Sequence, residues 1–285
     1  MTRYPAPAKL NLFLHVVGRR ADGYHLLETV FRFLDVGDEL EITPRVDGAI
    51  CLHAPLPGVP PEQDLCARAA ILLQAHTRCR LGADIRLIKR LPLGGGLGGG
   101  SSDAATVLLA LNRLWSLHRS RAELQALGLK LGADVPVFIY GQTAFAQGVG
   151  EALSPCAPAP AAYVVLTPRV HVSTPAVFSH PGLTRDTPSV KIAPLSDGAR
   201  TGFFGNDRFR NDLQSVVSAQ FPEVAEALVW LGRYGEARMT GSGACVFAPF
   251  ADRAAAEAVF RQRPEHLNGF VADGVDQHPL IDYAG

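Results

Sequence analysis

An α+β fold is the reading this sequence supports, on three observations. Strand-like and helical stretches are mixed without the regular βαβαβ alternation of a doubly wound sheet. The chain has 285 residues, enough for two domains of ordinary size sharing an interface. Its composition, 47% hydrophobic and 19% charged, is that of a soluble globular protein and too apolar for whole-chain disorder.

The elements follow in chain order. Residues 10–17 (LNLFLHVV) are apolar and β-branched enough for a strand, Asp22-Gly23 supplies a turn, and 29–34 and 39–43 read as further strands. A Pro-rich loop at 53–61 leads into helical spacing over 62–75, with Leu65, Ala69, Leu72 and Leu73 on one face. Residues 84–89 alternate as a half-buried strand does, and a glycine run and a helix over 102–115 come next. Ser120 and Glu123 form a capping-box pattern opening another helix. Asp134 and Pro136 look like the N-cap and first turn of a fourth. A short strand at 144–147 precedes a composition shift at 154–162 (SPCAPAPAA), a plausible linker. Beyond it, 163–167 and 244–248 read as strands, 222–231 and 252–261 as helices, and 182–206 as mostly loop.

Composition also narrows function. Lys plus Arg and Asp plus Glu both number 27, which gives no electrostatic case for nucleic acid or an anionic membrane as partner. The five cysteines contain no Cys-x-x-Cys pair, so neither a disulfide framework nor a zinc site is expected. The N-terminal stretch lacks a signal-peptide pattern, and no run of about 18 apolar residues occurs. The expectation is a reduced, cytoplasmic protein.

The glycine run places six glycines in the seven positions 94–100. Glycine loses more conformational freedom on folding than any other residue, so such a run needs a reason. A flexible linker fits poorly, because Leu97 sits inside the run and regular elements abut both ends. A dinucleotide fingerprint is matched by Gly94-x-Gly96-x-x-Gly99, but the acidic residue expected about 20 residues on should end a second strand, and the nearest candidate, Glu123, lies in a predicted helix. A phosphate cradle is the third reading. It lacks the Walker lysine, yet glycine amides, the Ser101 and Ser102 hydroxyls and the helix N-terminus behind them suffice to hold an anion.

Four stretches together carry a family resemblance. Pro92-Leu-Gly-Gly-Gly-Leu-Gly-Gly-Gly-Ser-Ser102 resembles the ATP loop of the GHMP kinases. Pro7-Ala-Lys-Leu-Asn-Leu-Phe-Leu-His15 with Arg19-Arg-Ala-Asp-Gly-Tyr-His25 is similar to an N-terminal motif of that family, Leu131-Gly-Ala-Asp-Val-Pro-Val-Phe138 to its catalytic segment, and Met239-Thr-Gly-Ser-Gly-Ala-Cys-Val-Phe247 to its third motif. They span nearly the whole chain in the family's order. Within the family they are most similar to the branch of the non-mevalonate isoprenoid pathway, which phosphorylates a cytidine diphosphate alcohol.

The resemblance implies a ribosomal protein S5 domain 2-like N-terminal ATP-binding domain (1–155), an α/β-plait C-terminal domain (156–285), and an active site in the cleft between them. It implies ATP as co-substrate with Mg²⁺, the metal held mostly by phosphates and water since no acidic cluster forms a cage. ATP would lie on Pro92, Leu93, Gly94, Gly95, Gly96, Leu97, Gly98, Gly99, Gly100, Ser101 and Ser102. Asp134 falls on the family's catalytic aspartate, although Asp-x-Pro alone reads as a helix cap, and Lys9 on its paired lysine. Asn11, two residues on in a strand, shares the face of Lys9 and becomes a substrate contact. Tyr24 and His25 would grip the cytosine ring, with Thr174 reaching in from the second domain. Where the family commonly opens a helix with Asn-Leu, this chain has Asp64-Leu65, and Asp64 is left out of the site. The nearest alternative is another GHMP kinase specificity. From other classes, an NAD-dependent oxidoreductase or a non-catalytic nucleotide-binding module remains.

Overall fold

The computed structural model describes residues 2–53, 56, 58–192, 202–205 and 207–284. Residues 54, 55 and 57 of the expected Pro-rich loop, and 193–201 and 206 of the loop and its flank expected over 182–206, lie outside the described residues.

Two long strands, β1 (Thr2–Arg19) and β2 (His25–Arg45), form an antiparallel ribbon. Its turn is set by Gly23, at φ +91, and by Asp22 Oδ1, which accepts the Tyr24 N–H at 3.2 Å. The sequence pattern predicted three shorter strands here. Pro5, Pro7 and Gly37 break the alternation but not the ladder, for Gly37 stands opposite Pro7 and a Cβ there would meet Ala6 O at 2.2 Å. Register shifts between Pro7 and Lys9 and between Asn11 and Leu14 bend the ribbon on both sides of Lys9 and Asn11.

The first half is completed by β3 (Ile50–His53), α1 (Leu65–Thr77), β4 (Gly82–Ile88), α2 (Gly99–Leu114), α3 (Arg121–Leu129) and α4 (Val135–Tyr140). Asp64 caps α1 by accepting the Cys66 and Ala67 N–H groups, which starts the helix at 65 rather than 62. The Ser120–Glu123 capping box opens α3 as expected. Helix α2 begins at Gly99, not at 102, so the last glycines of the run are its first turn. These helices cover one face of the sheet around Leu40, Ile42, Ile85, Leu73, Leu108 and Phe138.

β5 (Ala144–Gln147) and β6 (Ala152–Pro155) close the first half, and the second holds β7 (Ala162–Leu166), α5 (Thr174–Ser179), α6 (Gln214–Gln220), α7 (Pro222–Leu231), β8 (Arg238–Met239), β9 (Val246–Phe250), α8 (Arg253–Phe260) and β10 (Gly269–Val275). The expected linker is thus partly strand. One sheet runs β3-β4-β2-β10-β7-β9-β8, with β1 and β5 also on β2. The α+β reading holds.

Strand β7 shows how the halves are joined. Ala162, Val164 and Leu166 face a core with Val217 and Leu231, whereas Tyr163 and Val165 face Leu10, Leu12 and Phe13 of β1. At roughly 2 kcal/mol for each large apolar side chain fully buried, this shared core fixes the halves in one arrangement. After β10 the chain returns to the first half, where the Arg121 guanidinium donates to the carbonyls of Ile139, Tyr140, Ile281 and Ala284. Among the described residues no helix is long and apolar enough to cross a membrane.

Candidate active site

The glycine run is a folded cradle. Leu97, its one non-glycine residue, is buried in the shared core beside Leu91 and anchors the run there. Gly94, Gly96 and Gly98 take φ of +68, +77 and +72, backbone that a side chain disfavours. Close approach adds to this: a Cβ at Gly95 would lie 2.6 Å from Cys245 Sγ, and one at Gly96 2.2 Å from Thr240 O. The Cys245 N–H donates to Gly95 O (3.1 Å) and Thr240 Oγ1 to Gly96 O (3.3 Å), so the second half holds the run in shape. Burial pushes the Cys245 thiol up to about 12, which leaves it a packing group under the loop. The first-turn amides of α2 have no intrahelical partners, and with the helix dipole they make an anion site.

Lys9 lies against this cradle, buried with 2% of its side chain exposed. Its Nζ donates to Asn11 Oδ1 (2.6 Å) and Gly96 O (2.9 Å) and stands 3.1 Å from Asp134 Oδ2, which uses its three N–H bonds. Asp134 begins α4 but makes no side-chain cap hydrogen bond, and 35% of its side chain is exposed. Its carboxylate therefore serves the cavity rather than the helix. Asn11 Nδ2 donates to Thr29 Oγ1 (2.9 Å), and the Asn11 N–H donates to Thr240 Oγ1 (2.9 Å).

A second lysine sits at the end of β4. Lys89 Nζ donates to Asp38 Oδ2 (2.7 Å) and Asp103 Oδ2 (2.8 Å), while Asp38 Oδ1 accepts the Arg90 and Leu91 N–H groups (2.6 and 2.8 Å). Asp103 thus turns away from the cradle. Burial, with the Asp38 charge added, outweighs Lys89 and pushes the Asp103 carboxyl up to about 7. Burial lowers Lys89, but the charges of Asp103 and Asp38 outweigh it and the net shift is upward.

The cradle encloses a cavity of about 510 Å³ lined by Lys9, Asn11, Asp134, Thr174 and residues 92–101. Ser102 does not line it; its side chain is fully buried in α2 and its Oγ has no partner among the described residues. Tyr24 and His25 line a neighbouring cavity of about 900 Å³, which shares Leu27, Ala133, Val149, Thr174 and Phe178 with the first. There Tyr24 is 65% exposed, and the His25 ring lies 5.0 Å from that of Phe178. Arg185 Nε donates to His25 Nε2 (3.1 Å). Burial, Arg185 and Arg19 all lower the His25 pKa. Thr174 Oγ1 and Ser242 Oγ share a hydrogen bond of 2.6 Å. The arrangement can hold an anion and place a carboxylate, backed by an ammonium, beside it.

Sequence reasoning missed several lining or supporting groups: Lys89, Asp38, Thr29, Phe178, Arg185 and Thr240. Lys89 had a signal, since it ends the expected strand at 84–89 just before the run. Arg185 had none, because it lies in an aperiodic stretch.

Among the described residues no three His, Cys, Asp or Glu side chains converge on a metal position. The same cavity nevertheless offers the Asp134 carboxylate and Ser101 beside the cradle, which suits a cation that arrives on phosphate oxygens.

Comparison with known proteins adds to this geometry. The model for the GHMP kinases N-terminal domain matches residues 64–142, and that for the GHMP kinases C-terminal matches 201–269. A relative from Thiobacillus denitrificans, named 4-diphosphocytidyl-2-C-methyl-D-erythritol kinase, is 60% identical over 280 residues, covering 98% of each chain. One of the same name from Ralstonia nicotianae is 57% identical, covering 98% of this chain and 96% of its own. A crystal structure of 4-(cytidine 5'-diphospho)-2C-methyl-D-erythritol kinase is 34% identical with a TM-score of 0.77, covering 96% of this chain and 99% of its own. A mevalonate kinase structure, 13% identical with a TM-score of 0.67 and covering 97% of this chain and 99% of its own, shares the fold.

Proposed function

This chain belongs to the GHMP kinases, and from that premise we propose that it transfers the γ-phosphoryl group of ATP to the 2-hydroxyl of 4-diphosphocytidyl-2-C-methyl-D-erythritol, in non-mevalonate isoprenoid biosynthesis. The observation that carries the reading is the Lys9–Asp134 pair, 3.1 Å apart where the glycine cradle opens towards the second cavity.

Phosphoryl transfer needs alignment, charge neutralisation and a destination for the hydroxyl proton. The cradle amides and the α2 N-terminus take the ATP phosphates. Asp134 orients the alcohol and accepts its proton, and the Lys9 ammonium offsets charge on the moving group. Asn11 holds Lys9 through Oδ1 and keeps its second Nδ2 hydrogen for the substrate. Tyr24 and His25 take the pyrimidine, and Thr174 closes the alcohol side. Asp134 and Ser101 are the protein groups that would help hold Mg²⁺ on the nucleotide's phosphates, where the ion would supply charge neutralisation. The 1–155 and 156–285 segments are the two lobes of this site. Five free cysteines support a reducing, cytoplasmic setting.

A coupled ADP-release assay tests the reading. The cytidine diphosphate alcohol should give steady turnover, with mevalonate and homoserine near background. Turnover on either of those alone rejects the assignment.

A further inference from the structure

Arg185 is held on every side. Its Nη1 donates to Leu183 O (3.1 Å), and its Nη2 to Phe178 O (3.0 Å) and His180 O (2.8 Å), carbonyls at and just past the end of α5. That leaves Nε, which donates to His25 Nε2 at 3.1 Å. A guanidinium is always protonated and has no acceptor, so the facing ring nitrogen must carry the lone pair. The ring proton then sits on Nδ1.

We propose that Arg185 is a positioning residue that locks His25 as the neutral Nδ1–H tautomer, so that the ring offers one N–H donor to an acceptor edge of the pyrimidine. A second proton on Nε2 would point N–H at N–H. The other charges around the ring agree: Arg19 stands opposite His25 on β1, Arg20 and Lys130 line the same cavity, and Asp22 is the one carboxylate among these lining groups. Phe178, whose carbonyl Arg185 caps, also lies against the His25 ring, so one guanidinium sets both the ring and its neighbour. Cytosine presents acceptors at N3 and O2, whereas uracil has N–H at position 3. Aimed at position 3, a fixed donor favours cytosine, whereas O2 accepts in both bases. The pyrimidine assignment rests on the function proposed above; the tautomer does not.

The test begins with ¹⁵N ring correlations on the free protein. His25 should appear as the Nδ1–H tautomer and remain neutral at pH 6. In Arg185→Met, an Nε2–H population should appear and the ring should titrate higher than in the parent, with burial and Arg19 still holding it below an ordinary imidazole. KM for the cytidine diphosphate alcohol should rise about tenfold at pH 7 and become pH-dependent, with kcat and KM for ATP within about threefold. Arg185→Lys, which keeps one donor, should recover the tautomer and part of the KM. An Nε2–H or imidazolium form in the parent at pH 7 overturns the proposal. So does an unchanged KM, or an equal rise in KM for ATP. If Arg185→Met does not fold, the parent spectrum and Arg185→Lys decide. Failure of the parent to turn over the cytidine substrate would sink the functional reading alone, because the ring measurement needs no substrate.

Discussion

Lys9 and Lys89 press on neighbouring glycines of one loop, yet they do different work. A Cβ at Gly98 would meet Lys9 Cε at 3.0 Å, and one at Gly99 would meet Lys89 Nζ at 3.0 Å. Lys9 faces one carboxylate, Asp134, with 35% of its side chain exposed. Lys89 faces two, Asp38 and Asp103, with 0% and 2% exposed. A pair with one open side can trade a proton with a ligand. Two sealed carboxylates can only fix geometry, and these tie β2, the end of β4 and α2 together beneath the cradle, with Lys89 partly open to the same cavity. Ion pairs beside a binding loop are thus told apart by the access of the carboxylate, not by the lysine.

Three substitutions sharpen or break that contrast. Asp134→Asn should show the largest effect, lowering kcat by about 10³-fold or more while ATP affinity stays within about threefold. Stopped-flow turnover with nucleotide titration checks it, and near-normal turnover would place both lysine groups in the same structural class. Lys89→Met leaves two buried carboxylates without their cation, and stability should fall by about 3 kcal/mol in urea unfolding. A loss of activity with unchanged stability would mean that Lys89 acts on the ligand instead.

The smallest effect has the opposite sign. Folded Asp103 holds its proton up to about pH 7, whereas unfolded it releases it near about pH 4. Between those values the native state binds the extra proton, so its stability declines as pH rises from about 4 to about 7. Asp103→Asn should remove that slope and stabilise the protein at pH 8 by on the order of 1 kcal/mol, with no gain below pH 4. Parallel melting profiles for parent and variant would show that another group titrates.

The same contrast explains what was legible in the sequence. The cradle was readable because six glycines in seven positions have few other uses, and Asp134 because it sits in a recognisable segment. Its partner was readable only through the resemblance: Asp-x-Pro alone predicts a cap, whereas the paired-lysine motif implies the contact with Lys9, 125 positions away in the chain, that the structure shows. Asp38 and Lys89 are separated by 51 positions, and Arg185 reaches His25 across 160. Contacts of that kind leave no periodicity. In the fold, helices α3 and α7 were found from local caps and spacing, whereas β3, β8 and β10 were missed. Short strands draw their stability from partners far along the chain.

The pairing of β10 with β2 carries a consequence for the newborn protein. Val275 stands opposite Phe33, so a strand made late completes a ribbon made early. The cradle waits as well, since Cys245 must arrive before Gly95 O gains its donor. Loop-closure entropy makes such distant pairings late events. During folding, the phosphate loop gains the wall that shapes it only after these distant pairings form, and a nucleotide that binds the finished cradle favours them in turn.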